Sequence, residues 1–424
     1  MATDSRCIVL AQSLVLLLAA TGVCFGQGAI VSSAGPVHRG MGGASTAAPI
    51  SALGALYWNP ATISGMEHGE LEVGMDVLFT QHRIDSSYSP YSGSTEAEPG
   101  TYPIPNIGWV HHLENSPVTI GLSVNAVAGF KTNLQSSLTN PVLLPQPYGL
   151  GQVSSEASFL QIAPVLSYAV TDQFSIGGGP IVTSGQVGIE PFVFDSANAN
   201  RTYSSGRSSR YHWGGGLQLG AYYIANDAWR FGASFKSPSW MESFEFYGED
   251  ENGAPRQMSA DIDLPMIVSL GTAYAGFDKW LLALDLRYID YANADGFGDP
   301  AEFDSTGRLK GLDWSSIMSV AIGAQRALGE RTFIRCGYSY NQNPIQDSES
   351  FYNVATPLIY EHTLSVGGSY QLNETLALNM AYSHFFENSR TGPIVNPVAG
   401  PLPGSSVTNE MQANVLSFGI LMRQ

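Results

Sequence analysis

WLLALDLRY, Trp280–Tyr288, is the stretch from which the fold is read. Trp280, Leu282, Leu284, Leu286 and Tyr288 fall on one side of an extended chain, and Ala283, Asp285 and Arg287 on the other, because successive side chains of a strand point to opposite faces. The same period recurs from about Gly69 onward. In ELEVGMDVLF, Leu71, Val73, Met75, Val77 and Phe79 oppose Glu72, Gly74 and Asp76. In SSIMSVAIGAQ, Met318, Val320 and Ile322 oppose Ser319, Ala321, Gly323 and Gln325; in NVLSFGILM, Leu416, Phe418, Ile420 and Met422 oppose Ser417, Gly419 and Leu421. A β-sandwich alternates too, so the second face decides. A face exposed to water carries Lys, Glu and Thr, whereas this one is mostly Gly, Ala, Ser, Asn and Gln. That suits the crowded polar interior of a barrel whose apolar face meets lipid.

The composition agrees. Of 424 residues only 13% are charged, while Gly 46, Tyr 20 and Phe 19 are abundant, an unusual balance for a soluble enzyme and an ordinary one for a membrane barrel. A net charge of -17 argues against nucleic-acid binding, which needs Lys and Arg for phosphate. Trp109, Trp229, Trp240, Trp280 and Tyr340 lie near strand ends, where interfacial aromatics gather.

The connections carry a second regularity. Short polar turns fall at Leu113–Pro117, Thr171–Gln173, Asn226–Ala228, Phe277–Lys279, Gly329–Arg331 and Asn373–Thr375, with long loops rich in Gly, Pro, Ser and acids between them. Six short turns interleaved with seven long loops predict about fourteen strands, with both termini on the short-turn, periplasmic side. Closure into a ring removes sheet edges that would otherwise be left unpaired in lipid. The expected fold is therefore an all-β transmembrane, antiparallel outer-membrane barrel.

The N-terminus reads as a signal peptide over residues 1–27: Arg6, an apolar core Ile8–Ala20, and small residues near Gly26–Ala29. That core is shorter than the roughly 20 residues of a spanning helix. Val23 stands before Cys24 where a lipobox wants a small residue. Only Cys336 of the three cysteines clearly belongs to the mature chain, so no disulfide framework is expected. No Walker loop, HExxH, GxSxG or CxxC is present. His111 and His112 are neighbours that point to opposite faces and cannot easily share a metal. No catalytic residue, metal site or cofactor is expected.

One tract resists this pattern: HRGMGGASTAAPISALGALYWNPATISG, His38–Gly65, rich in small residues and nearly free of charge. With its Gly40, Gly42, Gly43 run and its Asn59-Pro60-Ala61, it resembles the N-terminal hatch of the FadL-type outer-membrane transporters. The resemblance continues through the fourth and fifth strands (LQIAPVLSYAVTDQFSIGGGPIV), the sixth and seventh (WGGGLQLGAYYIANDAWRFGASFKSP), the eighth and ninth (IDLPMIVSLGTAYAGFDKWLLALDLRYIDY) and the eleventh (FIRCGYSYNQNPI). It implies a hatch over residues 28–68 and a fourteen-stranded barrel over 69–424. It further implies passive transport of long-chain fatty acids or other hydrophobic small molecules by a monomer in the outer membrane of a diderm bacterium, among lipid and lipopolysaccharide. Cargo would bind in an apolar lumen pocket and leave sideways at a kink in strand three, here Ala128-Gly129-Phe130. Arg287 and Arg335, on the inward phase of their strands, are candidate partners for a cargo carboxylate, and Asp285 beside Arg287 offers it a structural ion pair instead. The alternative function is a general diffusion porin or a structural or adhesive barrel, with a lumen lined by charge and no hatch. Two departures from the family pattern stand out: Arg423-Gln424 follow the last aromatic, Phe418, and the stretch Ser45–Trp58 has no acid.

Overall fold

In the computed structural model, which describes residues 27–424 except Ser209 and Glu251, fourteen antiparallel strands close into a barrel. They are β1 (Glu70–Tyr88), β2 (Thr101–His112), β3 (Val118–Leu134), β4 (Val153–Ala169), β5 (Phe174–Glu190), β6 (His212–Ile224) and β7 (Trp229–Lys236). The other half is β8 (Met266–Tyr274), β9 (Trp280–Asp290), β10 (Ile317–Ala327), β11 (Thr332–Asn341), β12 (His362–Gln371), β13 (Leu376–Gly392) and β14 (Ser406–Arg423). Each strand pairs with its sequence neighbour, and β14 closes the ring on β1 from Glu70↔Arg423 to Ser87↔Ser406. The leader expected over residues 1–27 lies, apart from Gln27, outside the described residues.

Alternation sets the two faces as the second-face chemistry requires. On β1, Val73, Met75 and Phe79 are exposed on the outer wall, whereas Glu72 and Asp76 are buried inside. On β9, Leu282, Leu286 and Tyr288 face out and Asp285 and Arg287 are buried. Trp229, Trp240 and Trp280 are exposed near strand ends, at the level where amphipathic rings meet headgroups. No helix of the described residues is long and apolar enough to cross a membrane; the strands do so.

The lumen is filled by the N-terminal segment. It forms two short helices, α1 (Pro36–Arg39) and α2 (Ala52–Trp58), and a 3-10 turn over Pro60–Gly65. Val37 to Ala48 and Ser51 to Thr62 are buried throughout. At the other end the long loops fold inward over this plug. Phe192, Phe244, Phe246, Tyr291, Phe297 and Trp314 form an apolar roof there, continuous with Tyr57 and Trp58 of the plug.

Candidate functional site

The plug is held by a division of chemistry between it and the wall. From Gln27 to Met66 the chain contains no Asp or Glu, and Arg39 is its one Lys or Arg. The wall supplies the acceptors. Asp76 takes Arg39 at 2.6 Å. Glu70 and Glu72 accept the N–H groups of Ala52 (2.8 Å) and Leu53 (3.1 Å), the first two helical positions of α2, which lack intrahelical partners. Asp285 Oδ2 accepts Ser45 N–H at 2.8 Å, Thr46 N–H at 2.9 Å and the Thr46 hydroxyl at 2.8 Å. The missing acid of Ser45–Trp58 is thus replaced by carboxylates reaching in from β1 and β9.

The glycines and the Asn-Pro pair shape this seating. Gly42 and Gly43 have φ of 66° and 88°, a region that costs other residues strain. A Cβ on Gly42 would stand 2.7 Å from Tyr338 N, and one on Gly43 2.5 Å from Ser32 O. Gly40 lies against Gly367 on β12. Asn59 caps the turn that Pro60 starts, its Oδ1 accepting Ala61 N–H at 3.1 Å, while Nδ2 donates to Thr46 O at 2.8 Å and to Ala221 O on β6 at 3.0 Å. Asn140-Pro141 makes a like cap at Val142, so what distinguishes Asn59 is the amide that joins both halves of the plug to the wall. Replacing it with Ala removes a cap worth about 1 kcal/mol, orphans the buried Thr46 carbonyl at about 1–3 kcal/mol and cuts the tie to Ala221 on the wall. The expected result for Asn59→Ala is a plug cleaved by protease at least ~tenfold faster in a barrel that still migrates as folded.

Among the described residues, the wall is left unpaired over a long stretch between β2 and β3. β2 and β3 pair from His112↔Thr119 to Asn106↔Asn125 and then part. The next bond between these segments is Glu98 N–H to Asn133 O at 2.8 Å. Between the two lies an opening edged by Pro99–Pro105 and Ala126–Thr132. On the β3 side the register with β4 shifts between Ala126 and Ala128, leaving Val127 as an extra residue, a bulge that bends the strand. Gly129 follows; a Cβ there would lie 2.9 Å from Ala157 O, so close approach to β4 requires it. On the β2 side Pro103 and Pro105 still pair with β1 but bring no N–H, as befits a local edge. In the sequence these prolines show only as the run TYPIPN, Thr101–Asn106, a signal not picked out there.

The free edge of β3 is covered by the N-terminal segment. Ile30 bridges Ala128, Val31 N–H donates to Val127 O at 2.8 Å and Gly129 N–H to Ala29 O at 3.4 Å. Tyr291 pins this strap, donating to Gln27 O at 2.8 Å and accepting Ile30 N–H at 3.0 Å. Burial raises the Tyr291 phenol above its ordinary range, so it stays protonated and keeps both bonds. Behind the opening is an apolar cavity of about 110 Å³, lined by Ile30, Tyr102, Ala128, Phe130, Leu358 and Met411 among others.

The structure places the candidate arginines elsewhere. Arg287 is buried, bound to Asp285 and Gly43 O at 2.6 Å each and stacked 3.7 Å above the Trp58 ring. Arg335 donates to Gln325 at 2.8 Å and Ser369 at 2.5 Å, and with Arg423 and Glu70 it lines a polar cavity of about 310 Å³ on the short-turn side of the plug. Neither lines the apolar cavity, whereas Ala128, Gly129 and Phe130 do.

A closed barrel with an apolar outer wall, a plugged lumen and an opening in one side defines an outer-membrane transport protein. The comparisons with known proteins name the family. Residues 17–423 match the family described as outer membrane protein transport protein (OMPP1/FadL/TodX), and the chain belongs to it. It is 22% identical over 381 residues to outer membrane protein P1 of Haemophilus influenzae, covering 80% of each chain. Its fold is similar to that of a Pseudomonas aeruginosa FadL homologue (TM-score 0.75, 15% identity, 93% of this chain and 99% of that one). It is also similar to the toluene transporter TodX of P. putida (TM-score 0.68, 16% identity, 93% and 99%). The protein is a transporter of the bacterial outer membrane, and the family is not one of enzymes.

Proposed function

We propose that the protein is a passive channel for hydrophobic small molecules, which bind in the apolar cavity behind the β2–β3 opening and leave sideways into the membrane. The observation that carries this reading is the juxtaposition of that cavity with a gap in the wall and a strap, Gln27–Ser32, that meets β3 through a single bridge. Sideways exit spares apolar cargo a passage through water, which costs about 0.8 kcal/mol per methylene. The polar cavity on the short-turn side offers such cargo no comparable site. With the strap in place the cavity is about 110 Å³, short of the roughly 150 Å³ of an apolar cavity that binds benzene, so on this reading the strap gives way as even a small aromatic enters. Similarity to a toluene transporter and to the monoaromatic hydrocarbon channel CymD points the same way, and strap displacement would lengthen the cavity for fatty acyl chains. The glycines of the plug and Asn59 act on this reading as the seat of a hatch over residues 28–68.

The test is uptake by cells that lack any related channel. Production of the protein is expected to raise the initial uptake rate of toluene and 1-dodecanol several-fold while leaving that of disaccharides unchanged. A gain for sugars without a gain for hydrophobes would instead make the barrel a general porin.

A further inference from the structure

The opening between β2 and β3 has a side chain across it. On β2, Ile104 and Asn106 are buried inside the barrel, whereas Pro103 and Pro105 are exposed on the outer face. Tyr102 continues the inward phase and lines the apolar cavity. On β4, Ser155, Ala157 and Phe159 are buried inside, so Glu156 and Ser158 belong to the outer face. Yet the Tyr102 phenol stands beside the Ser158 hydroxyl, with Glu156 and Lys131 near it. A side chain that starts on the inner face of one strand and ends among outer-face groups two strands away crosses the wall. It can do so only where the ladder is broken, and the β2–β3 ladder stops at Asn106↔Asn125.

The intervening strand makes room for it. The residue of β3 in register with Ser158 is Gly129, which puts no side chain in the way. Lys131, in register with Glu156, binds it at 3.2 Å. The outer mouth of the opening thus gathers a phenol, a hydroxyl and an ion pair. In lipid such groups are tolerated where they satisfy one another, and a phenol that swings away from Ser158 gives up a hydrogen bond with no water to replace it. The backbone of Tyr102 stays fixed meanwhile, since Leu78↔Tyr102 and Phe79↔Thr101 hold it to β1. The ring is therefore anchored at its root, held at its tip by one neutral contact, and free to turn between.

We propose that Tyr102 is the shutter of the β2–β3 opening: its ring closes the gap, its hydroxyl latches on Ser158, and cargo leaves when the ring turns aside. The inference rests on the reading of the opening as the exit. It makes Tyr102 a positioning residue that sets the rate of exit, distinct from the bulge and Gly129, which create the gap.

The experiment measures initial uptake of toluene, with a disaccharide as a control for the plug, by cells producing the full-length chain, Tyr102→Phe, Ser158→Ala or both changes together. Each single variant is expected to raise maximal toluene uptake about fivefold, the factor of one net hydrogen bond, at an unchanged half-saturating concentration. The double variant is expected to go no further, because both changes remove the same contact. Disaccharide uptake is expected to stay at the level of the unaltered protein. Effects that multiply in the double variant, a fall in uptake, or no change in either single variant would overturn the shutter and leave the channel standing. A change confined to the half-saturating concentration would make Tyr102 a wall of the cavity only, and a joint rise of toluene and disaccharide would mean a loosened plug; each overturns the proposal. No toluene uptake by the unaltered protein overturns both the shutter and the channel.

Discussion

Deleting Val127 is expected to abolish uptake of hydrophobic probes, by tenfold or more, in a barrel that still assembles. Val127 is the residue in excess between Ala126↔Leu160 and Ala128↔Phe159. Without it the two flanking pairs become consecutive, the β3–β4 ladder runs unbroken, and β3 loses the bend that swings it away from β2. The change is local because the residues on either side keep their partners and their faces; a register slip, in contrast, would turn every later side chain over. Strap contacts made by Val31 to Val127 and by Ile30 to Ala128 are lost with the bulge. Adding Pro103→Thr and Pro105→Thr restores two backbone donors to β2 and is expected to deepen the defect. Heat-modifiable migration in gels reports assembly separately from uptake. Full uptake in the deletion variant would mean that the opening is not the route.

The second large effect is expected at Asp285. One carboxylate oxygen accepts two plug amides and a plug hydroxyl and pairs with Arg287 at 2.6 Å. Asp285→Ala removes all four and leaves Arg287 buried beside Trp58 with only Gly43 O. Stranding one member of a buried pair costs about 3–5 kcal/mol, enough to compete with the seating of a segment of this size. The barrel ladders of β9 with β8 and β10 do not use the side chain, so the loss falls on the plug. Asp285→Ala is therefore expected to produce an ion-conducting pore in planar bilayers, where the unaltered protein stays closed. Asp285→Asn, which still accepts the two amides, is expected to conduct far less often. A silent Asp285→Ala channel would show that the plug is secured elsewhere.

How much of this was legible in the sequence follows from range. The strand count came from turns of a few residues and from alternation within one strand, both local, and the same signals place Asp285 and Arg287 inside. Alternation gives a face but no depth, so it could not say that Arg287 meets Gly43 while Arg335 lies on the far side of the plug. The contact between Asp285 and Ser45 spans 240 positions, and nothing near either residue announces it. The Gly-rich tract was legible as unusual because it breaks the period. Its dependence on wall carboxylates was not, since those acids look like any inward polar residue. The Ala128-Gly129-Phe130 segment was read from resemblance, but the other edge of the opening depends on which strand runs alongside, and the prolines gain meaning only there.

On the proposed function, cargo sits behind the β2–β3 opening and leaves through it. The most direct measurement is photo-crosslinking in outer membranes with a small diazirine-bearing aromatic hydrocarbon, the adducts being mapped by mass spectrometry. Adducts on Ile30, Tyr102, Ala128 and Phe130, competed by toluene and lost on deletion of Val127, are the result expected. Adducts concentrated instead on Phe333, Gln371 and Ala377, around the polar cavity of the short-turn side, would contradict it.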